Sequence, residues 1–219
     1  MTTNGKLFCY FASWACIVIC IADFFIMYAL GLDFPGYSQI RDSISRLGAS
    51  VSPVSFYMSA WWVFIGVIFI LFGLALKRVY TENGKVAIIA SWLIIIYGLG
   101  EGFGSGLFQA NHIGNELSLS CKIHDTLGGI GIAAVLILPL VLRKIFTRKD
   151  KPFMFHFLLI MPLLAFIMLI LFSLAKVTSI ENNIFEDYYG LTQRLLTLVI
   201  YIYLVAIAIM TMRKIKEAK

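Results

Sequence analysis

The chain has 219 residues, of which 60% are hydrophobic and 14% are charged, and its mean hydropathy is +0.89. This composition lies outside the range of soluble globular domains, so it excludes a water-soluble protein. The sequence pI near 9.2 does not indicate nucleic acid, because the basic residues are concentrated in alternate connections, as in membrane proteins. We therefore expect membrane lipids as partners, and no nucleic acid.

Six stretches are long and apolar enough to cross a bilayer, whose core of about 30 Å requires roughly 20 apolar residues. They cover residues 7–32, 55–77, 85–108, 121–143, 154–175 and 191–213. The first is too long for a secretory signal and lacks a small-residue cleavage pattern, so we predict that it is retained as a span. Turn and charge signals fill the segments between the spans. The expected fold is all-α, one six-helix transmembrane domain over residues 1–219.

The orientation follows from the Lys and Arg residues, which are in excess on the cytoplasmic side of membrane proteins. Most of the 18 basic residues lie at the two termini and in the second and fourth connections. The first, third and fifth connections carry most of the acidic residues instead. We therefore predict that both the N-terminus and the C-terminus are cytoplasmic.

The first connection contains a short amphipathic pattern. Ile40, Ile44 and Leu47 recur at helical spacing between residues 38 and 49. We predict a short amphipathic helix here, lying at the outer membrane interface as a lid. The alternative is a segment that only covers the end of the bundle and binds nothing.

Ionisable side chains inside the spans are few, and each costs about 2.5–3.5 kcal/mol to insert, so each needs a partner. Asp23 lies past the middle of the first span, and Glu101 lies in the outer third of the third span among apolar and glycine neighbours. Further polar side chains open the fourth and sixth spans, again in the outer half. This distribution predicts an outward-facing polar pocket. Its candidate residues are Asp42, Arg46, Glu101, His124, Asp125, Gln193 and Arg194.

Glycines in the third span indicate close helix packing. Gly98, Gly102 and Gly106 form a double G-x-x-x-G pattern, and the fourth span contains glycines of its own. Such surfaces allow another helix backbone to approach closely. If the third and fourth spans pack through them, Glu101 is brought towards His124. Tight packing without any further function is the alternative.

The pocket residues divide into two predicted roles. Glu101, His124 and Asp125 are the catalytic candidates, because a carboxylate beside an imidazole can transfer protons or hold a polar group. The ligand-binding candidates are Asp42, Arg46, Gln193 and Arg194, whose guanidinium groups would meet an anionic headgroup. Alternatively, Arg194 extends to the lipid headgroups, and Asp125 stabilises a helix N-terminus. The spacing matches no zinc signature, so no metal site is assigned, and the cofactor stays open.

Three short motifs carry a family resemblance. They are residues 41–49 (RDSISRLGA), residues 106–109 (GLFQ) leading to His124, and residues 190–194 (GLTQR). With these motifs the chain resembles the uncharacterised prokaryotic membrane proteins grouped as domain of unknown function 998. The resemblance implies a multi-pass protein of the prokaryotic plasma membrane, without an established activity. The first motif is also distantly similar to the Frag1/DRAM/Sfk1 six-helix membrane proteins, some of which are linked to lipid handling.

The sequence leaves several functions open. The leading interpretation is binding or modification of a lipid-like or other amphiphilic molecule from the outer leaflet. The alternatives are a non-catalytic membrane assembly subunit and a small-molecule or proton-coupled transporter. A transporter would need polar groups in the inner half as well, where only His156 is found. Whether the protein is an enzyme, and which proteins it contacts, stay open.

Overall fold

The computed structural model describes residues 1–113, 116–176 and 186–217. In these ranges, six helices are long and apolar enough to cross a membrane. They are α1 (Thr3–Leu32), α2 (Ser55–Val79), α3 (Lys85–Leu107), α4 (Leu119–Leu142), α5 (Pro152–Lys176) and α6 (Glu186–Glu217). The six predicted spans are confirmed, with ends that differ by a few residues. The protein is an all-α, multi-pass membrane protein.

Local chemistry determines where the helices begin. The Thr2 hydroxyl accepts a hydrogen bond from the Gly5 backbone at the start of α1, and the Ser118 hydroxyl caps α4 through the backbone N–H of Cys121. These contacts satisfy N–H groups that have no partner within the helix. Between α2 and α3, Gly84 has a φ of 53°, which glycine adopts at little cost, so the chain reverses there.

The helices form a closed ring in sequence order. Each helix packs against the next one along the chain, and α6 closes the ring by packing against α1. Fully buried apolar and aromatic side chains, among them Phe72, Ile94, Leu138 and Tyr203, fill the space between the helices. Most exposed large side chains are apolar and lie on the outer faces of the helices, as contact with lipid requires.

The last part of α3 is a π-helix over Gly98–Gly104, followed by a short α-helical turn, Ser105–Leu107. A π-helix places an extra residue in each turn and occurs frequently at functional sites. Its glycines point to two neighbours. A Cβ atom on Gly102 would lie 2.7 Å from the backbone nitrogen of Gly66 in α2. Gly100 and Gly104, in contrast, face α4.

The G-x-x-x-G pattern therefore packs against α2 rather than α4. Gly98 and Gly102 contact Gly66, and a Cβ atom on Gly106 would lie 2.8 Å from the carbonyl oxygen of Ser59 in α2. The glycines offset by two residues face the opposite direction, since two residues turn a helix of this kind by about half a revolution. Together the two sets of glycines allow α2 and α4 to approach α3 from both sides.

The predicted short helix in the first connection is confirmed at Ile44–Gly48, where it takes the 3₁₀ form. Residues before it form turns, so the helix is shorter than the pattern between residues 38 and 49 indicated. Ile44 and Leu47 are buried, whereas Ile40 is 50% exposed. The helix therefore packs its apolar face onto the end of the bundle.

At the opposite end of the bundle, the connection between α2 and α3 contacts α6 through an ion pair between Glu82 and Lys214. The hydrogen bond from Lys214 lowers the pKa of the Glu82 carboxyl. Both side chains are substantially exposed, so the pair adds little stability.

Substitution of Gly102 by alanine tests the packing between α3 and α2. The added methyl group overlaps the backbone of Gly66, so we expect a loss of about 1–3 kcal/mol, as for other overpacked positions. Gly129→Ala is the matched control, because a Cβ atom there meets nothing within 4 Å. Thermal unfolding in detergent should show a lower midpoint for Gly102→Ala only. Equal midpoints for the two variants would contradict close packing at Gly102.

Candidate functional site: an acidic cavity beneath the first connection

A cavity of about 50 Å³ lies between α1, α2, α3 and α6, beneath the first connection. It contains two carboxyl groups, those of Asp23 and Glu101, and no Lys or Arg lines it among the described residues. The remaining lining residues are Met27, Ile44, Ser45, Trp62, Ile65, Phe69, Tyr97, Ser105, Gln193, Thr197 and Tyr201. The cavity is therefore an acidic, partly apolar space within the membrane-spanning part.

The carboxylate of Asp23 is held by two donors from other helices. Its Oδ1 accepts a hydrogen bond of 2.7 Å from Trp61 Nε1 in α2, and its Oδ2 accepts one of 2.8 Å from Tyr201 Oη in α6. Asp23 is only 3% exposed. Because each oxygen has its own donor, the protein itself solvates this carboxylate. Asp23 thereby connects three helices.

Glu101 lies in the middle of the π-helix and is partly exposed, with its side chain lining the cavity. Its Oε1 faces α4 at Gly128, where a Cβ atom would lie 2.9 Å away. Among the described residues, none donates a hydrogen bond to the Glu101 carboxyl and none forms an ion pair with it. The two cavity acids therefore differ, since one has its donors and the other lacks them.

Arg194, at the start of α6, holds the first connection in place. Its Nη1 donates to the backbone oxygens of Asp42 at 3.0 Å and Gly190 at 2.9 Å. Its Nη2 donates to Tyr37 Oη at 2.5 Å and to Gln39 Oε1 at 2.7 Å. Each terminal nitrogen thus has two acceptors, which matches its two N–H groups.

Tyr37 and Asp42 complete this hydrogen-bonded cluster. The Tyr37 hydroxyl donates to the carbonyl oxygen of Ser43 at 3.0 Å. Burial raises the pKa of the Tyr37 phenol, so the phenol keeps the proton that it donates. The Asp42 carboxylate accepts a hydrogen bond from the backbone of Ser38 and forms an ion pair with Arg46. The predicted ligand-binding residues Asp42, Arg46 and Arg194 therefore belong to one hydrogen-bonded cluster.

The next contact joins Gln193 to the 3₁₀ helix. Gln193 Oε1 accepts a hydrogen bond of 2.7 Å from the backbone N–H of Ile44, and the backbone N–H of Leu191 donates to the Ile40 carbonyl at 2.8 Å. Gly190 lies so close to the backbone of Asp42 that a Cβ atom there would overlap it. The first turn of α6 therefore packs closely against the first connection. Gln193 also lines the cavity.

His124 connects α4 to the end of α3 and to the first connection. Its Nδ1 lies 2.8 Å from the Phe108 carbonyl oxygen, and its Nε2 lies 3.1 Å from Ser45 Oγ. A carbonyl oxygen only accepts, so Nδ1 carries a proton, and in the neutral imidazole Nε2 then accepts from Ser45. His124 is 5% exposed. It lies one helical turn from Gly128 and therefore near Glu101, but no hydrogen bond joins it to that carboxyl.

Asp125 points elsewhere. Its carboxylate pairs with Lys176 at the end of α5 at 2.8 Å, and both side chains are partly exposed. Of the catalytic candidates, His124 and Asp125 thus have separate partners, and Glu101 has none among the described residues. Within the described ranges no group of three or more His, Cys, Asp or Glu residues converges as a metal site would require.

A family model described as protein of unknown function (DUF998) matches residues 17–210 of the chain. This match covers most of the 219 residues. The chain belongs to the DUF998 family. No curated protein and no solved structure gave a significant match. The resemblance inferred from the three motifs is confirmed at the level of the family.

The three motifs of this DUF998 protein meet in the structure. Residues 190–194 bind residues 41–49 through Arg194 and Gln193, and His124 joins Ser45 of the first motif to Phe108 of the second. Motifs that are far apart in sequence therefore form one unit, which covers the cavity. We call this unit, consisting of residues 37–48, 108, 124 and 190–194, the cap.

Several residues of the site were missed by the sequence analysis. Trp61 and Tyr201, the donors to Asp23, look like ordinary membrane aromatics in a single sequence. Tyr37 and Ser45, which complete the cap, lie in the first connection, whose amphipathic pattern marks only the apolar positions. The only available signal was Asp23 itself, because a buried carboxylate requires donors from other spans.

Replacement of Arg194 by lysine tests its role in the cap of this DUF998 protein. Lysine offers its donors from a single point and cannot reach all four acceptors. We expect a local loss of about 2 kcal/mol, which raises amide exchange at Ile44 and Leu191 roughly thirtyfold in hydrogen-exchange mass spectrometry. The control is Arg41→Lys, since Arg41 is exposed. Unchanged exchange in Arg194→Lys would show that other contacts hold the first connection.

Proposed function

We propose that this DUF998 protein binds a positively charged ligand in the cavity between Asp23 and Glu101. The observation that supports the proposal is the Glu101 carboxyl, which lines the cavity and has no hydrogen-bond donor or cation partner among the described residues. A carboxylate in such surroundings costs several kcal/mol unless a partner compensates it. A cationic ligand supplies that partner.

The side of entry follows from the distribution of basic residues. The positive-inside rule predicts that the first connection, and hence the cap, lies on the outer face of the membrane. On the other side of the cavity, the bundle is filled by fully buried apolar residues such as Phe72, Leu76 and Leu138. This arrangement supports binding from the outer face, and it favours a binding protein over a carrier with a polar route through the bundle.

The contacts within the cap argue against the anionic headgroup that the sequence analysis expected for a lipid-like ligand. All four terminal N–H groups of Arg194 are used within the cap, and Arg46 pairs with Asp42. An anionic headgroup would have to compete with these contacts. The cavity holds carboxyl groups instead, so an amphiphile is compatible with it only if its polar group is basic, such as an amine. Catalysis by Glu101 with His124 stays a prediction.

Chemical labelling of Glu101 tests the proposal. A hydrophobic carbodiimide reacts with carboxyl groups that exchange protons in apolar surroundings, so we expect it to modify Glu101 in the purified, detergent-solubilised protein. Asp23 should stay unmodified, because Trp61 and Tyr201 occupy both of its oxygens. Peptide mass spectrometry measures both residues in one experiment. Absence of label on Glu101 would contradict an accessible, reactive carboxyl and with it the proposed function.

The two cavity acids should respond in opposite directions to neutral substitution. Glu101→Gln removes an uncompensated charge, so we expect a higher midpoint of thermal unfolding. The buffer is mildly alkaline, so that the carboxyl is ionised, and free of sodium, so that this small cation does not compensate the charge. Asp23→Asn leaves an acceptor oxygen for only one of the two buried donors and places an NH2 group opposite the other, at a cost of about 2–3 kcal/mol, and should lower the midpoint by several degrees. Asp33→Asn, at an exposed position beside the first connection, is the control. A destabilised Glu101→Gln protein would indicate that the carboxyl has a structural partner.

A further inference from the structure

We infer that the ligand of the acidic cavity is a single monovalent cation of the size of sodium. This inference rests on the proposed function and names the ligand of the same site. It follows from three properties of the cavity, namely the charge that is left uncompensated, the kind of atoms that line it and its volume.

Only one carboxyl group of the cavity is free to coordinate an ion. Asp23 has a donor on each oxygen, from Trp61 and from Tyr201, so its negative charge is stabilised without a cation. Of the two cavity acids, Glu101 alone lacks a donor among the described residues. A single free carboxylate supplemented by neutral oxygens suits a monovalent ion, whereas a calcium ion draws on several carboxylate and carbonyl ligands.

The lining atoms suit a hard cation. Besides Glu101, the hydroxyl groups of Ser105 and Tyr97 belong to the cavity, and neither makes a hydrogen bond to another described residue. The hydroxyl oxygens of Ser45 and Thr197 line it as well and keep lone pairs free. Oxygen ligands of this kind select alkali and alkaline-earth ions over soft transition metals.

The volume limits the ligand further. A water molecule needs roughly 10–15 Å³ of such space, so the cavity of about 50 Å³ admits an ion with a few waters. A lipid headgroup larger than a simple amine does not fit. Calcium takes 6–8 oxygen ligands, and magnesium keeps several waters in an octahedron, which also favours a monovalent ion.

Gly128 controls the space beside the Glu101 carboxyl. A Cβ atom at Gly128 would lie 2.9 Å from Glu101 Oε1, whereas a Cβ atom at the adjacent Gly129 meets nothing within 4 Å. Alanine at position 128 therefore displaces the carboxyl without any change of charge. Gly128→Ala and Gly129→Ala therefore form a matched pair of variants.

The experiment measures the rate of carbodiimide labelling of Glu101 in sodium, potassium or choline chloride at equal ionic strength. With sodium at about ten times its dissociation constant, only about one site in eleven is empty, so labelling should slow roughly tenfold. Potassium should protect less, and choline should not protect at all. Labelling that proceeds equally in all three salts overturns the sodium assignment but leaves the reactive carboxyl of the proposed function intact. No labelling in any salt defeats the proposed function itself.

Two further variants locate the ion. Ser105→Ala removes a neutral ligand, and Gly128→Ala shifts the carboxyl, so in both variants labelling should persist while sodium protection weakens. Gly129→Ala should keep the protection of the unmodified protein, as should Arg41→Lys on the surface. Full protection in both Ser105→Ala and Gly128→Ala would place the ion elsewhere and overturn the inference.

Discussion

The constraint on which the rest of this structure depends is the cost of a carboxylate inside a membrane-spanning bundle. Without water, each oxygen has to find a donor or a cation from the protein or from a ligand. Asp23 finds two donors, Trp61 in α2 and Tyr201 in α6, and thereby fixes the relative positions of three helices. Glu101 lies opposite these donors in α3. Its glycine neighbours have no side chains that could donate a hydrogen bond to it. The cavity is the space between a satisfied carboxylate and an unsatisfied one.

Most of the fold was predictable from the sequence, because hydropathy over about 20 residues reports directly on whether a segment can cross a bilayer. All six spans and the short helix in the first connection were predicted correctly. The π-helix was not, since its hydrogen-bond register depends on how closely α2 and α4 approach. The same close packing determines which glycines of α3 face α2 and which face α4. A G-x-x-x-G pattern does not indicate which helix it packs against.

The site was only half predictable. Polar and ionisable residues in apolar segments are conspicuous, so Glu101, His124, Gln193 and Arg194 can be recognised as unusual from the sequence alone. The partners of His124, Gln193 and Arg194 were not identifiable, because hydrogen bonds between residues far apart in sequence, such as Arg194 and Tyr37, depend on the packed structure. Arg194 shows the consequence. A guanidinium near the membrane surface indicates anion binding, yet three of its four terminal N–H groups here donate to the first connection and the fourth donates to Gly190.

The cap and the cavity share residues, and this sharing connects ligand binding to the position of the first connection. Gln193 lines the cavity and also accepts the Ile44 N–H, and Ser45 lines the cavity while it donates to His124. A cation that draws Gln193 Oε1 into the cavity competes with the Ile44 N–H for that oxygen. A cation that binds a free lone pair of Ser45 Oγ instead polarises the hydroxyl and strengthens its hydrogen bond to His124. Occupancy of the cavity and closure of the cap are therefore linked by the same two side chains, and linkage of this kind is reciprocal: whatever loosens the cap also changes the affinity beneath it.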